Sequence, residues 1–112
     1  MAEEHGPVLD VYKAVKSLPR EETYALGDQI RRAAVSIPSN IAEGCARDSA
    51  KDFAHFLLIS LGSAAELETQ VILCKRLGYI DNDQSEVLLS QLSLISKMLR
   101  ALVIKLRASQ TP

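Results

Sequence analysis

Tryptophan is absent, and two phenylalanines and three tyrosines are the whole aromatic content of these 112 residues. Sandwich and barrel cores draw on aromatic and β-branched residues, whereas Leu, Ile, Val and Ala prevail here, as in helices packed on helices. Cysteine is limited to Cys45 and Cys74. Two are too few for a disulfide framework and, without further ligands, for a metal site, so both read as buried small apolar residues in a reducing cytosol. Neither sign of charge is in excess: 13 Lys and Arg stand against 14 Asp and Glu, for a net charge of −1. The chain as a whole therefore has no field that draws nucleic acid or an anionic membrane, and such binding would need a local patch. No uninterrupted apolar run approaches the ~18 residues of a membrane span. The start, Met-Ala-Glu-Glu-His-Gly-Pro, is acidic and polar, unlike a signal peptide. A soluble, cytoplasmic protein without membrane contact is expected.

Recognisable reaction chemistry is also missing. The chain has no nucleophile–histidine–carboxylate set, phosphate-cradling glycine loop or dinucleotide fingerprint. Asp52-x-x-His55 puts a carboxylate and an imidazole on one helix face, as in half of a di-metal bundle site, but such a site needs a second pair and two further glutamates. The other histidine is His5, near the start. Glu66 and Glu68 are two apart and point to different helix faces, so they cannot act as a carboxylate pair by themselves. The expectation is no enzyme, no cofactor and no metal.

What the chain does have is helical periodicity. Ile30, Ala33, Ala34, Ile37 and Ile41 recur at spacings of three and four straight through Pro38, so an amphipathic helix should kink there without ending. A proline inside a helix costs ~3 kcal/mol through one lost hydrogen bond and a ring clash. Ser36, Ser39 and Asn40 are placed to bond the loosened carbonyls, and Ala33, Ala34 and Ala42 to admit a close neighbour. This second helix is expected from Pro19 or Glu22 to Ala46, following a short first helix that begins after Pro7 and runs to about Ser17. A third, capped by Ser49 with Asp52, runs to Leu77 with Phe53, Phe56 or Leu57, Ser60, Ala64, Leu67, Val71 and Cys74 on one face. Gly62, Ser63, Ala64 and Ala65 form a small-residue waist for close packing. Gly78 in the left-handed conformation ends that helix. A fourth follows a cap at Asp81, Asn82 or Asp83, with a seam of Leu88, Leu92, Ile95, Leu99, Leu102 and Leu106.

These elements predict an all-α, antiparallel up-and-down four-helix bundle with a short first helix and a proline-kinked second helix. It is one domain over 1–112, with 1–7 and 108–112 as frayed tails. The apolar positions exceed what one bundle can cover, and the short first helix uncovers more, so homo-oligomerisation is expected.

The run Gln29-Ile-Arg-Arg-Ala-Ala-Val-Ser-Ile-Pro-Ser-Asn-Ile-Ala-Glu-Gly44, with Phe56-Leu57, Gly62-Ser63, Glu66-Leu67-Glu68 and Leu77-Gly78-Tyr79, resembles the four-helix-bundle proteins of ribosomal RNA intervening sequences, the S23 ribosomal protein family. The resemblance covers residues 9 to about 107. It implies a ring-like homopentamer without established enzymatic activity, similar in fold to the retroelement accessory variability determinant, whose pentamer engages nucleic acid and a reverse transcriptase. Pro38, Asn40, Glu43, Gly44, Gly62, Ser63, Glu66 and Glu68 are its structural motif residues here. The functional expectation is a non-enzymatic homo-oligomeric scaffold with no protein partner specified. The alternative is an RNA- or DNA-binding accessory protein, with Arg31, Arg32, Arg47, Lys97, Arg100, Lys105 and Arg107 as phosphate ligands on the ring. Aromatic interleaving for base stacking is lacking.

Overall fold

The computed structural model describes residues 6–109; Met1–His5 and the last three residues, parts of the expected frayed tails, lie outside. Helix α1, Pro7–Val15, opens with proline at its first position, where the missing N–H costs nothing. Pro7 is therefore helical and not part of a frayed tail. A single turn, α2 (Arg20–Thr23), precedes α3 (Leu26–Cys45), and α4 (Ala50–Arg76) and α5 (Asn82–Ala108) complete the order. Four long or bundle-forming helices thus pack side by side, with α2 as part of the first connection. The particle measures 53 × 31 × 26 Å.

The expected continuous second helix is interrupted at Tyr24 and Ala25. At this point the chain must reverse from α1 onto the start of α3. Gly27 permits it, since an added Cβ would lie 3.2 Å from Val15 Cγ1 and 3.5 Å from the Glu22 carbonyl oxygen. The Arg31 guanidinium closes the turn by donating to the Thr23 carbonyl at 3.3 Å while pairing with Asp28. Local periodicity gave no sign of this break, because it serves the crossing of two helices.

The other ends follow their local chemistry. Ser49 Oγ accepts from the Asp52 N–H at 3.0 Å at the start of α4. Gly78 has φ +80°, and the Tyr79 N–H to Cys74 carbonyl and Gly78 N–H to Lys75 carbonyl bonds, 2.9 and 3.0 Å, form a Schellman cap. Asp81 and Gln84 make a reciprocal capping box on α5. Helix α3 continues unbroken through Pro38.

At the end of the bundle that holds the α1–α3 connection, all four columns contribute to the core. Val11, Val15, Ile30, Ala34, Leu67, Val71, Leu88 and Leu92 pack there, Leu67 and Leu92 with no exposure at all. Gln91 Nε2 donates to Asp10 Oδ2 at 2.8 Å and ties α1 to α5. At the other end α1 is missing, and the core shrinks to Leu57, Leu99 and Val103 with half-buried neighbours. Val103, which lies off the expected seam, is buried because it follows Leu99 by one turn.

Burial and the Glu22 carboxylate both push the Cys74 thiol above its ordinary pKa. The Tyr79 phenol is also raised, first by desolvation and then by Glu22, to which it donates at 3.2 Å. Both shifts favour the protonated form in the folded chain. The stability they contribute is fully present below the ordinary values of ~8.5 and ~10, and is lost as pH rises through the folded ones. Urea unfolding should show a decline above pH ~9 that Tyr79→Phe reduces.

Candidate interaction surfaces

The Pro38 segment is supported from one side by hydroxyls and an amide. Asn40 Nδ2 donates to both the carbonyl and the hydroxyl of Ser36 at 2.9 Å. Ser36 Oγ in turn shares a 2.7 Å bond with Ser63 Oγ of α4. One turn away, the fully buried Ser60 donates to the Ile37 carbonyl at 2.9 Å. The expected side-chain support is therefore there, but it acts on the Ser36 and Ile37 carbonyls and comes partly from α4. Ser39 and Ala42 face outward, as does Cys45 near the end of α3, so of the two thiols expected to be buried only Cys74 is. Glu66 accepts from Gln70 at 3.4 Å, and among the described residues neither Glu66 nor Glu68 pairs with an arginine.

Ser63 thus belongs to a polar helix contact, and the glycines divide unexpectedly. At Gly44 an added Cβ would stand 2.8 Å from Phe53 Cδ1, 3.0 Å from Phe56 Cβ and 3.2 Å from the Phe53 carbonyl oxygen. Close helix approach occurs there. At Gly62 nothing lies within 4 Å, so the expected waist is split: Ser63 and Ala64 meet the bundle, whereas Gly62 and Ala65 face outward.

The basic residues do not gather into one site. Arg31 is engaged by Asp28 and the Thr23 carbonyl. Arg47 pairs with Glu43 and lies 4.8 Å above the Phe56 ring, a cation–π contact that the sequence did not suggest. Arg32, Lys97, Arg100, Lys105 and Arg107 are exposed, with no acidic partner among the described residues. The seven-residue spacing sets Arg100 and Arg107 on one face of α5, and Lys105 falls toward the other side. Arg32 sits far along the bundle from the α5 cations, near the start of α3. His55 is exposed, its ring edge-on to Phe56 at 5.3 Å.

Two apolar surfaces remain uncovered. On α4, Leu58, Gly62, Ala65, Thr69 and Ile72 recur at four and three and all face outward, Leu58 and Ile72 being 40% and 39% exposed. On the missing-column side, a trough of about 260 Å³ begins at Pro7 and Val8 and is lined by Ile37, Pro38, Ile41, Ile95, Met98 and Leu99. Leu94, Met98 and Ile104 of α5 are 60–65% exposed. Helices α4 and α5 are each long and apolar enough, by length and composition, to cross a membrane, although neither contains an uninterrupted apolar run of that length.

An all-helical bundle with this cap set and a proline-bearing α3 can be compared with known families. The family model of the 23S rRNA-intervening sequence protein matches residues 3–101. The chain belongs to that family. A crystal structure of an S23 ribosomal protein family member of unknown function from Bacteroides thetaiotaomicron is similar to it at 29% identity, over 86% of this chain and 87% of that one, with a TM-score of 0.76. No curated protein matches. The family is one of unknown function without an enzymatic signature. In this chain the Gln29–Gly44 run, which carries the resemblance, builds the α3–α4 contact through Ser36, Asn40 and Gly44.

Proposed function

We propose that the protein is a non-enzymatic interaction scaffold that works as a homo-oligomer, a pentameric ring being what the family resemblance implies. The observation carrying this is the outward stripe of α4 centred on Gly62. A stripe at spacings of three and four with a bare glycine in its middle is suited to another helix at short range, and no helix of the same chain occupies it. Covering by copies of itself fits better than covering by lipid, because Glu66 and Glu68 sit near the middle of α4 and Lys97 near the middle of α5, where a bilayer would make them costly. Two free thiols, one exposed, suit a reducing cytoplasm.

Gly62→Arg tests this directly. Since the position is open, the variant should keep the helical circular dichroism of the parent, whereas its solution mass by light scattering should fall to that of one chain. A parent that is already monomeric, or a variant with unchanged mass, would sink the proposal.

A second reading is favoured by the unpaired cations Arg32, Lys97, Arg100, Lys105 and Arg107, which a ring would multiply into phosphate contacts for RNA or DNA. Binding of structured RNA should then weaken steeply between low and moderate salt. Neutralising Arg32, Arg100 and Arg107 together with Arg31 should abolish it. Binding that ignores salt would exclude this reading.

A further inference from the structure

Two outward stripes on this chain are opposite in both size and charge. The α4 stripe, Leu58, Gly62, Ala65, Thr69 and Ile72, has a bare glycine and an alanine at its middle. Glu66 follows Gly62 by four residues and Glu68 follows Ala65 by three, so one carboxylate borders the stripe on each side. From Phe53 to Leu73 α4 carries no lysine or arginine. The α5 stripe is made of larger side chains: Val87, Leu94, Ala101 and Ile104 recur at seven and three, Leu94 and Ile104 being 60% and 65% exposed. Lys97 follows Leu94 by three and Lys105 follows Ala101 by four, so lysines border this stripe as glutamates border the other. From Val87 to Ser109 α5 carries Lys97, Arg100, Lys105 and Arg107 and no acid. Among the described residues none of Glu66, Glu68, Lys97 and Lys105 has an ion-pair partner.

The two stripes are free to act at the same time. Leu67 and Val71 turn the opposite side of α4 to the core, and Leu88, Leu92 and Val103 do so on α5. Lengths agree as well, ~21 Å from Leu58 to Ile72 and ~26 Å from Val87 to Ile104. Pairing either stripe with its own kind is opposed by charge. Two α4 stripes would bring four carboxylates together without a base, and two α5 stripes would crowd lysines around bulky side chains. Pairing one with the other sets Lys97 and Lys105 against Glu66 and Glu68. It also lets Leu94 and Ile104 close on Gly62 and Ala65, where two helix backbones can approach.

We infer that copies of the chain join head to tail, the α4 stripe of one seated on the α5 stripe of the next. This names the partner surface of the scaffold proposed above and rests on that reading. Such a contact leaves one stripe of each kind free at the ends of a row, so assembly continues until the rotation closes a ring.

The test uses the full chain and reads solution mass by light scattering, with circular dichroism as the check on folding. Gly62→Arg breaks the α4 stripe, and Leu94→Glu combined with Ile104→Glu breaks the α5 stripe at two exposed positions. Each of these variants alone should have the mass of one chain. Mixed in equal amounts they should form a dimer, because the mixture still holds one intact stripe of each kind. Lys97→Glu with Lys105→Glu should weaken assembly by at least about tenfold. Adding Glu66→Lys and Glu68→Lys to the same chain should restore it. A mixture that stays monomeric at every concentration, or charge reversals that do not compensate, would overturn the inference. Should Gly62→Arg be monomeric while the Leu94→Glu, Ile104→Glu chain keeps the parent mass, the scaffold reading stands and this pairing of surfaces falls. A monomeric parent sinks both.

Discussion

Leu67→Ala should lower the free energy of unfolding by ~3–5 kcal/mol and reduce the melting temperature by roughly 10 °C or more. Leu67 has no exposure, and it lies on α4 where all four columns meet, among Ile30, Ala34, Val71 and Leu92. Neighbours from several helices fix the walls of the cavity, so little of the lost contact is recovered by collapse. Leu57→Ala, equally unexposed but in the three-helix end, should cost less, ~2–3 kcal/mol, since the thinner core there can relax or admit water. Leu94→Ala, at a position 60% exposed, should change the stability of the single chain by no more than ~0.5 kcal/mol. Chemical denaturation of the three variants checks the order. A Leu67→Ala loss near that of Leu94→Ala would mean that the four-column core is not packed as described.

Gly44→Ala should destabilise the protein by about 1–2 kcal/mol, although alanine is the better helix former. Propensity alone favours the change by up to ~1 kcal/mol. Opposing it, the added methyl meets the Phe53 ring at 2.8 Å, Phe56 Cβ at 3.0 Å and the Phe53 carbonyl oxygen at 3.2 Å. The ring can turn aside, but the other two atoms move only if α4 moves, so α3 and α4 must separate. At Gly62, where the space is open, the same substitution should stabilise a single chain by ~0.5–1 kcal/mol. The paired result, a loss at one glycine and a gain at the other, separates steric contact from propensity. A gain at both would show that the α3–α4 crossing is looser than the distances indicate.

Much of the fold was legible because it is encoded locally. The Ser49 and Asp81 caps, the Gly78 stop and the Leu88 to Leu106 seam each depend on residues within one or two turns. Periodicity likewise carried α3 through Pro38. The candidate surfaces were less legible. Gly62 reads as a packing glycine and Gly44 as one residue of the family run near the expected helix end, yet Gly44 follows Ile37 by seven residues and so lies on the core face, a signal that was available. The Ser36–Ser63 bond joins α3 to α4 and the Arg47–Phe56 contact joins the connection between them to α4, and neither has a signature in spacing. Arg31 counted as a phosphate ligand on charge alone; the structure engages it with Asp28 and the Thr23 carbonyl.

By itself the sequence determined that the chain is helical, where most of its helices start and stop, and that it carries more apolar surface than one bundle can bury. Those properties follow from backbone hydrogen bonding, capping and a period of 3.6 residues, all of which act over a few residues. Only the tertiary structure decided which apolar stripe of each long helix is covered. That choice depends on the lengths and rotations of the neighbours. Because α1 reaches only part of the way along α5, Leu88 and Leu92 are buried while Met98 borders an open trough. Because no helix of the same chain crosses the outer face of α4, Gly62 is left free for a contact from outside.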